Sequence, residues 1–234
     1  SVIFHVPMTE GVADDSYLAL PTTMIGTEYY FLSYTAWGQY YPSVYAIVAT
    51  EDNTNILING NIINMNRGQT YQIKQGAVDH TGTYVKSDKP ITFIAGTVCS
   101  NITTVPFIRA CDSIFEQMLP VSQLGTDYFT APLYSPGSSD VFRVLAVEGN
   151  TEITVKDKYY TKLLILNAGQ WTEYENEEST HITSNKPVMV AQFAKGKDAA
   201  KVGDPFQMTI IPSDKLKTGY RYYTYPGYEE GDYL

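Results

Sequence analysis

One stretch is written twice, and it limits what the chain can fold into. Val44-Tyr-Ala-Ile-Val-Ala-Thr50 runs through Glu51-Asp52-Asn53-Thr54 into Asn55-Ile-Leu-Ile58, and Phe142-Arg-Val-Leu-Ala-Val147 runs through Glu148-Gly149-Asn150-Thr151 into Glu152-Ile-Thr-Val155. Asn53 and Asn150 are 97 positions apart, and the same offset carries Ser87-Asp-Lys-Pro-Ile91 onto Ser184-Asn-Lys-Pro-Val188. Two landmarks in one register define a repeat. Between them Arg67-Gly-Gln69 answers to Ala168-Gly-Gln170, which requires a short insertion in the second copy. Upstream, Gly26-Thr-Glu-Tyr-Tyr30 pairs with Gly125-Thr-Asp-Tyr-Phe129, each behind a Leu-Pro at Pro21 and Pro120, and a weaker third start follows Ile211-Pro212.

These marks divide the chain into residues 1–20, a leading edge strand or the tail of a preceding unit; a first repeat over 21–119; a second over 120–211; and the start of a third over 212–234. A third start, and a chain that opens on Ser1 with neither Met nor a leader, suggest a piece of something longer. About 100 residues per repeat suits one small sandwich.

The elements read as strands. No window holds a clean 3.6-residue period, whereas β-branched and aromatic residues are plentiful and turn residues recur every eight to twelve positions. The expected class is all-β, with tandem duplicated antiparallel β-sandwich-like units. Val44–Ala49, apolar on both faces, belongs inside such a unit. Asp52-Asn53 and Gly149-Asn150 are expected at the centres of type I′ hairpin turns, where both residues need positive φ, and Asn59-Gly60 repeats the device. That makes Ile56–Ile58, Ile62–Met65 and Thr70–Ile73 a meander. Pro90 and Pro187 are placed at the mouths of strands, where the missing donor costs nothing. The link from Ser100 to Val121 is the best place for a short helix or helical turn, with Asp112 as its candidate N-cap.

The formal net charge is −9 and the pI near 4.8, without a cluster of Lys and Arg, so a nucleic-acid backbone or anionic membrane would be repelled. The longest apolar runs have strand length, far short of the ~20 residues of a spanning helix, and direct membrane insertion is not expected. No Gly-x-Ser-x-Gly, His-Glu-x-x-His or phosphate-cradling glycine loop occurs, so no enzyme is expected, and no cofactor. His5, His80 and His181 stand apart from any Cys or His at ligand spacing, and no metal site is assigned. Glu51-Asp52-Asn53-Thr54-Asn55 alternates oxygens like the start of a calcium loop but lacks its Gly and closing Glu. Paired acids for glycoside hydrolysis cannot be placed. Asn101-Ile102-Thr103 is an N-glycosylation acceptor pattern. Twenty tyrosines fit half-buried strand positions or a contact surface for protein or glycan.

Ala110-Cys-Asp112, Glu116-Gln-Met-Leu-Pro-Val-Ser122, Gly125, Phe142-Arg-Val-Leu-Ala146 and Asn150-Thr151 together resemble the N-terminal domain family of the IgG Fc-binding protein. Lys186-Pro-Val-Met-Val-Ala-Gln-Phe193 and Gly203-Asp-Pro-Phe-Gln-Met208 continue the likeness, which runs from about Val44 onward. The resemblance implies an extracellular, secreted or cell-surface, β-rich module of an adhesive or mucus-type glycoprotein, with no catalytic residues to carry over. In that setting Cys99 and Cys111 are expected as a disulfide rather than two buried thiols. Closing a loop of about a dozen residues removes roughly 3 kcal/mol of unfolded-state entropy. Two roles follow as expectations: recognition of a protein or glycan ligand by loops, and assembly with copies of itself through sheet edges.

Overall fold

A computed structural model describes residues 2–7, 14–37, 41–76, 78–102, 111–133, 139–196 and 204–219. The described chain is all-β, with 3-10 turns at Val121–Gln123 and Ser213–Lys215. The strands are β1 (Val2–Pro7), β2 (Asp14–Ala19), β3 (Gly26–Tyr30), β4 (Ser43–Ala49), β5 (Thr54–Ile58), β6 (Asn61–Met65), β7 (Thr70–Gln75), β8 (Tyr84–Ser100) and β9 (Asp112–Gln117). They continue with β10 (Gly125–Thr130), β11 (Asp140–Ala146), β12 (Thr151–Lys156), β13 (Thr161–Leu166), β14 (Trp171–Asn176), β15 (Thr180–Ala194) and β16 (Phe206–Thr209).

β1 and β2 pair with each other, and the rest form two seven-stranded antiparallel sheets of the same topology. The first runs β6-β5-β8-β4-β7, with β3 and β9 also on β8; the second runs β13-β12-β15-β11-β14, with β10 and β16 also on β15. One long strand is thus the spine of each sheet. Its first half pairs with β5 and β3 through Tyr84–Ser87, and its second half pairs with β4 from Ile91 and with β9 from Ile94. β15 divides the same way around Lys186-Pro187. The sheet therefore curls on itself, and Val144 on one half shares a core with Ile153, Val155 and Ile182 on the other.

This corrects four expectations. Pro90 and Pro187 do not open strands; they lie inside continuous ones, where the spine leaves one set of neighbours for the other and no ladder bond needs a donor. The repeated Asn-Thr bend is not a hairpin, because β4 does not pair with β5, nor β11 with β12; each bend is a corner between the two halves. Accordingly only Asn53 (φ 54°) and Asn150 (φ 52°) are left-handed there, whereas Asn59 (50°) and Gly60 (76°) together make the type I′ hairpin of β5 and β6. Nor are β5, β6 and β7 a meander: β7 crosses over to pair with β4. Nor does Asp112 cap a helix: among the described residues of the link the one helical turn is the 3-10 turn that starts at Val121. Asp112–Gln117 is the strand β9, held by its ladder to Ile94–Ser100 and buried through Met118 and Leu119.

The corners match bond for bond. Thr54 Oγ1 donates to Glu51 O and Thr151 Oγ1 to Glu148 O, both at 2.8 Å. Lys89 Nζ reaches Asp52 O as Lys186 Nζ reaches Gly149 O. The Tyr29 hydroxyl accepts from Gly26 N (2.8 Å) and donates to Ile91 O (2.6 Å); the Tyr128 hydroxyl accepts from Gly125 N (2.9 Å) and donates to Val188 O (2.5 Å). Each ring ties the first strand to the spine just past its proline. Burial pushes the Tyr29 hydroxyl up to about 12 and that of Tyr128 higher still, so both remain donors at ordinary pH. Tyr29→Phe and Tyr128→Phe each leave a buried carbonyl and N–H without that partner. Each is expected to cost about 1–3 kcal/mol in denaturant unfolding, and the two losses to be similar.

Candidate binding surface

The two sheets are welded by a charge inside an apolar strand. Arg143, in the middle of β11 and 2% exposed, points its guanidinium at the first unit. Nη1 donates to Ser33 O (2.5 Å), Asp79 Oδ2 (2.7 Å) and Thr81 Oγ1 (3.1 Å), and Nε donates to Glu173 Oε2 (2.8 Å). Its Cζ lies 4.1 Å from the Trp171 ring centroid and 4.5 Å from that of Tyr34. Two carboxylates, a carbonyl and two rings satisfy a charge that would otherwise be costly to bury. Around it Tyr30 donates to Val147 O (3.2 Å), Gln207 Nε2 donates to Leu32 O (2.8 Å), and Gly82 meets Gly169 so closely that a Cβ on Gly82 would fall 2.2 Å from the Gly169 carbonyl oxygen. With its chemistry spent on holding the units together, Arg143 leaves no open site. A lone Arg within an apolar strand was the available signal for such a joint.

A candidate contact surface lies at one end of the first unit, where residues 35–37 and 41–42 meet residues 98–100. Cys99 and Cys111 are disulfide-bonded across it, with Cα atoms 5.2 Å apart. Trp37 N donates to Cys99 O (2.8 Å), Ser100 Oγ donates to Thr35 O (3.0 Å), Val98 N donates to Pro42 O (3.2 Å), and Ala36 bridges to Ser100. On this braced end the Trp37 and Tyr41 rings stack 6.0 Å apart with 36% and 37% of their surface exposed. Asn101, partly exposed, is two residues beyond Cys99; Thr103 of its acceptor pattern lies outside the described residues, as do 220–234 with the tyrosines of the third start. Trp37 and Tyr41 were not singled out in the sequence, since nothing local separates a stacked surface pair from packed rings.

The other groups weighed from the sequence do not converge. Asp52 Oδ1 accepts from Arg67 N, Thr54 Oγ1 bonds Glu51 O, and Asn55 bonds Asp88, so the oxygens of the calcium-like run are used within the corner. Among the described residues no three His, Cys, Asp or Glu side chains gather as a metal site. His181 Nε2 and Ser213 Oγ both bond Asp127, with the carboxylate between them, so the histidine is not placed to activate the serine. His80 packs edge-on against Phe31.

The described chain is thus a curled, two-unit β module whose disulfide-bonded strand braces a pair of exposed aromatic rings. The chain belongs to the IgGFc binding protein family, whose model matches residues 15–234. It is similar to human IgGFc-binding protein, 25% identical over 214 residues that cover 83% of this chain and 4% of that protein, so it spans a small fraction of that relative's length.

Glu116 records how β2, β9 and β16 stack. Burial and the neighbouring Asp15 carboxylate push its pKa up to about 8, against the bonds it accepts from the Thr209 and Gln117 backbones. The folded chain holds this proton more tightly than the unfolded one, so the associated stability is complete below about pH 4.5 and is lost as pH rises through 8. Urea unfolding of wild type and Glu116→Gln between pH 5 and 9 is expected to show a fall with pH that the variant reduces.

Proposed function

We propose that this chain is a non-catalytic, extracellular binding or adhesion module of a larger secreted or surface glycoprotein. It recognises a protein or glycan through the braced end of its first unit. The observation that carries this reading is the Trp37–Tyr41 stack: two large rings, one on a residue bonded by its backbone to the disulfide-bonded strand and the other beside Pro42, which is bonded to the same strand, yet both open to solvent. Rings fixed in advance give contact area at low entropic cost. The Cys99–Cys111 bond fits an oxidising compartment, and family membership supports a binding rather than an enzymatic role. Asn101 is proposed as a glycosylation site beside this surface, the glycan marking its edge.

Immobilised chain is tested against IgG Fc, mucin-type glycoproteins and a glycan panel. For any ligand retained, Trp37→Ala and Tyr41→Ala are expected to weaken binding tenfold or more while leaving the unfolding midpoint nearly unchanged. Unaltered binding by both variants would move the site elsewhere.

A second reading, assembly through sheet edges, rests on a different observation. β6 and β13 are edge strands at matching places in the two sheets, and both carry exposed apolar side chains: Ile62 at 73% and, on β13, Leu163 at 75% and Ile165 at 66%. Unpaired edges of this kind accept another strand. Light scattering is expected to show association that grows with concentration and is abolished by Leu163→Lys with Ile165→Lys; a monomer at all concentrations removes this reading.

A further inference from the structure

The contact between the two units leaves a counterpart open on the first. The residues of the second unit that receive the first include Val141, Arg143, Glu173, Ala191 and Gln207, together with Glu116 from β9. By strand register their equivalents one unit earlier are Val44, Ala46, Gln72, Ile94 and Phe115, with Tyr17 from β2 in place of Glu116. Those six residues line a groove of about 180 Å³. Arg143 and Ala191 are buried at 2% and 1%, whereas Ala46 and Ile94, and Val48 and Thr92 beside them, are only half-buried. Val44 is covered, at 4%, but from Ala46 to Val48 a face that is filled in the second unit is left part-open in the first.

The hairpin of β1 and β2 borders this face through Tyr17. β2 precedes Leu20-Pro21 as β9 precedes Leu119-Pro120 and β16 precedes Ile211-Pro212. β9 and β16 each close a sheet by pairing with the end of a spine strand, and β2 pairs with β1 in the corresponding antiparallel sense. A carboxylate bridges neighbouring closing strands in both places, though not at equivalent positions: that of Asp15 on β2 accepts from Phe115 N on β9, and that of Glu116 on β9 accepts from the Thr209 backbone on β16.

We propose that the outer face of β4 and β8 is the docking seat for another unit of this same fold, which presents the loop after its first strand, and that β1 and β2 stand where that unit's closing strands lie. The occupant's chemistry follows from the seat. Where the second unit offers Arg143 between Asp79 and Glu173, the first offers Ala46 and Gln72, so the incoming loop is apolar and carries no counterpart of the Asp79 charge. At the far end the second unit presents the matching knob: Phe129 is 60% exposed and Leu133 43%, at positions where Tyr30 and Tyr34 of the first unit are 7% and 9% exposed.

The test replaces residues 1–19 with a copy of residues 21–118, so that a third unit leads the natural Leu20-Pro21, and places a reporter thiol at Val48→Cys under non-reducing conditions. In the natural chain the thiol is expected to react freely with a maleimide; in the three-unit chain it reacts at least tenfold more slowly. Because the copied unit carries Asp79, the three-unit chain is also made with Ala46→Arg, which restores that partner, and a core thiol at Val144→Cys reports whether each chain is folded. Equal labelling of position 48 in natural and folded three-unit chains overturns the proposal. So does a shielded thiol in the natural chain, or failure of both three-unit chains to fold, since β8 and β9 could then not replace β1 and β2.

Discussion

Everything in each unit hangs on one strand that serves two sheet halves. β8 and β15 are long enough to pair on both sides of a bend, and the bend falls where Pro90 and Pro187 could give no ladder bond in any case. Because the spine changes partners at that point, the strands on either side must turn a corner together. Asn53 and Asn150 turn it in the left-handed region, and the lysine before each proline ties the corner back to the spine. The buried tyrosine of the first strand then bonds to the residue after the proline, which sets how tightly the halves close.

The two units are alike in frame and unlike in surface. Their corners share bonds to within a few tenths of an ångström, yet Arg143 answers to Ala46, Phe193 to Gly96 and Gln207 to Phe115. Gly96 could not carry a side chain, since its Cβ would lie 1.9 Å from the Ile114 carbonyl oxygen. Frame positions are dictated by local backbone demands that recur in each copy. Face positions are dictated by whatever packs outside, and that differs from one neighbour to the next.

This division explains what could be read in the residues alone. The class, the register of the copies and the place of Val44–Ala49 away from a sheet edge were legible because periodicity and turn chemistry are local properties. Which strands pair was not: an Asn-Thr bend between two apolar runs looks the same whether the chain folds back on itself or crosses to the other half. β9 read as helical because Asp112 precedes a mixed run, and only its long-range ladder to β8 decides otherwise. At the candidate surface, Cys99, Cys111 and Asn101 stood out by composition and pattern. The Trp37–Tyr41 stack depends on a loop path that no spacing encodes, and Arg143 gained its meaning only when Asp79 and Glu173 arrived from distant strands.

The passage from one unit to the next leaves no slack. Met118 and Leu119 are buried at 0% and 3%, Leu124 at 7%, and a Cβ on Gly26 would come within 2.7 Å of the Pro120 ring. A flexible tether straightens first when its ends are drawn apart, but this one is already part of the core. Drawing the two units apart along the polypeptide would therefore have to uncover Met118, Leu119 and Leu124 before the junction gained length.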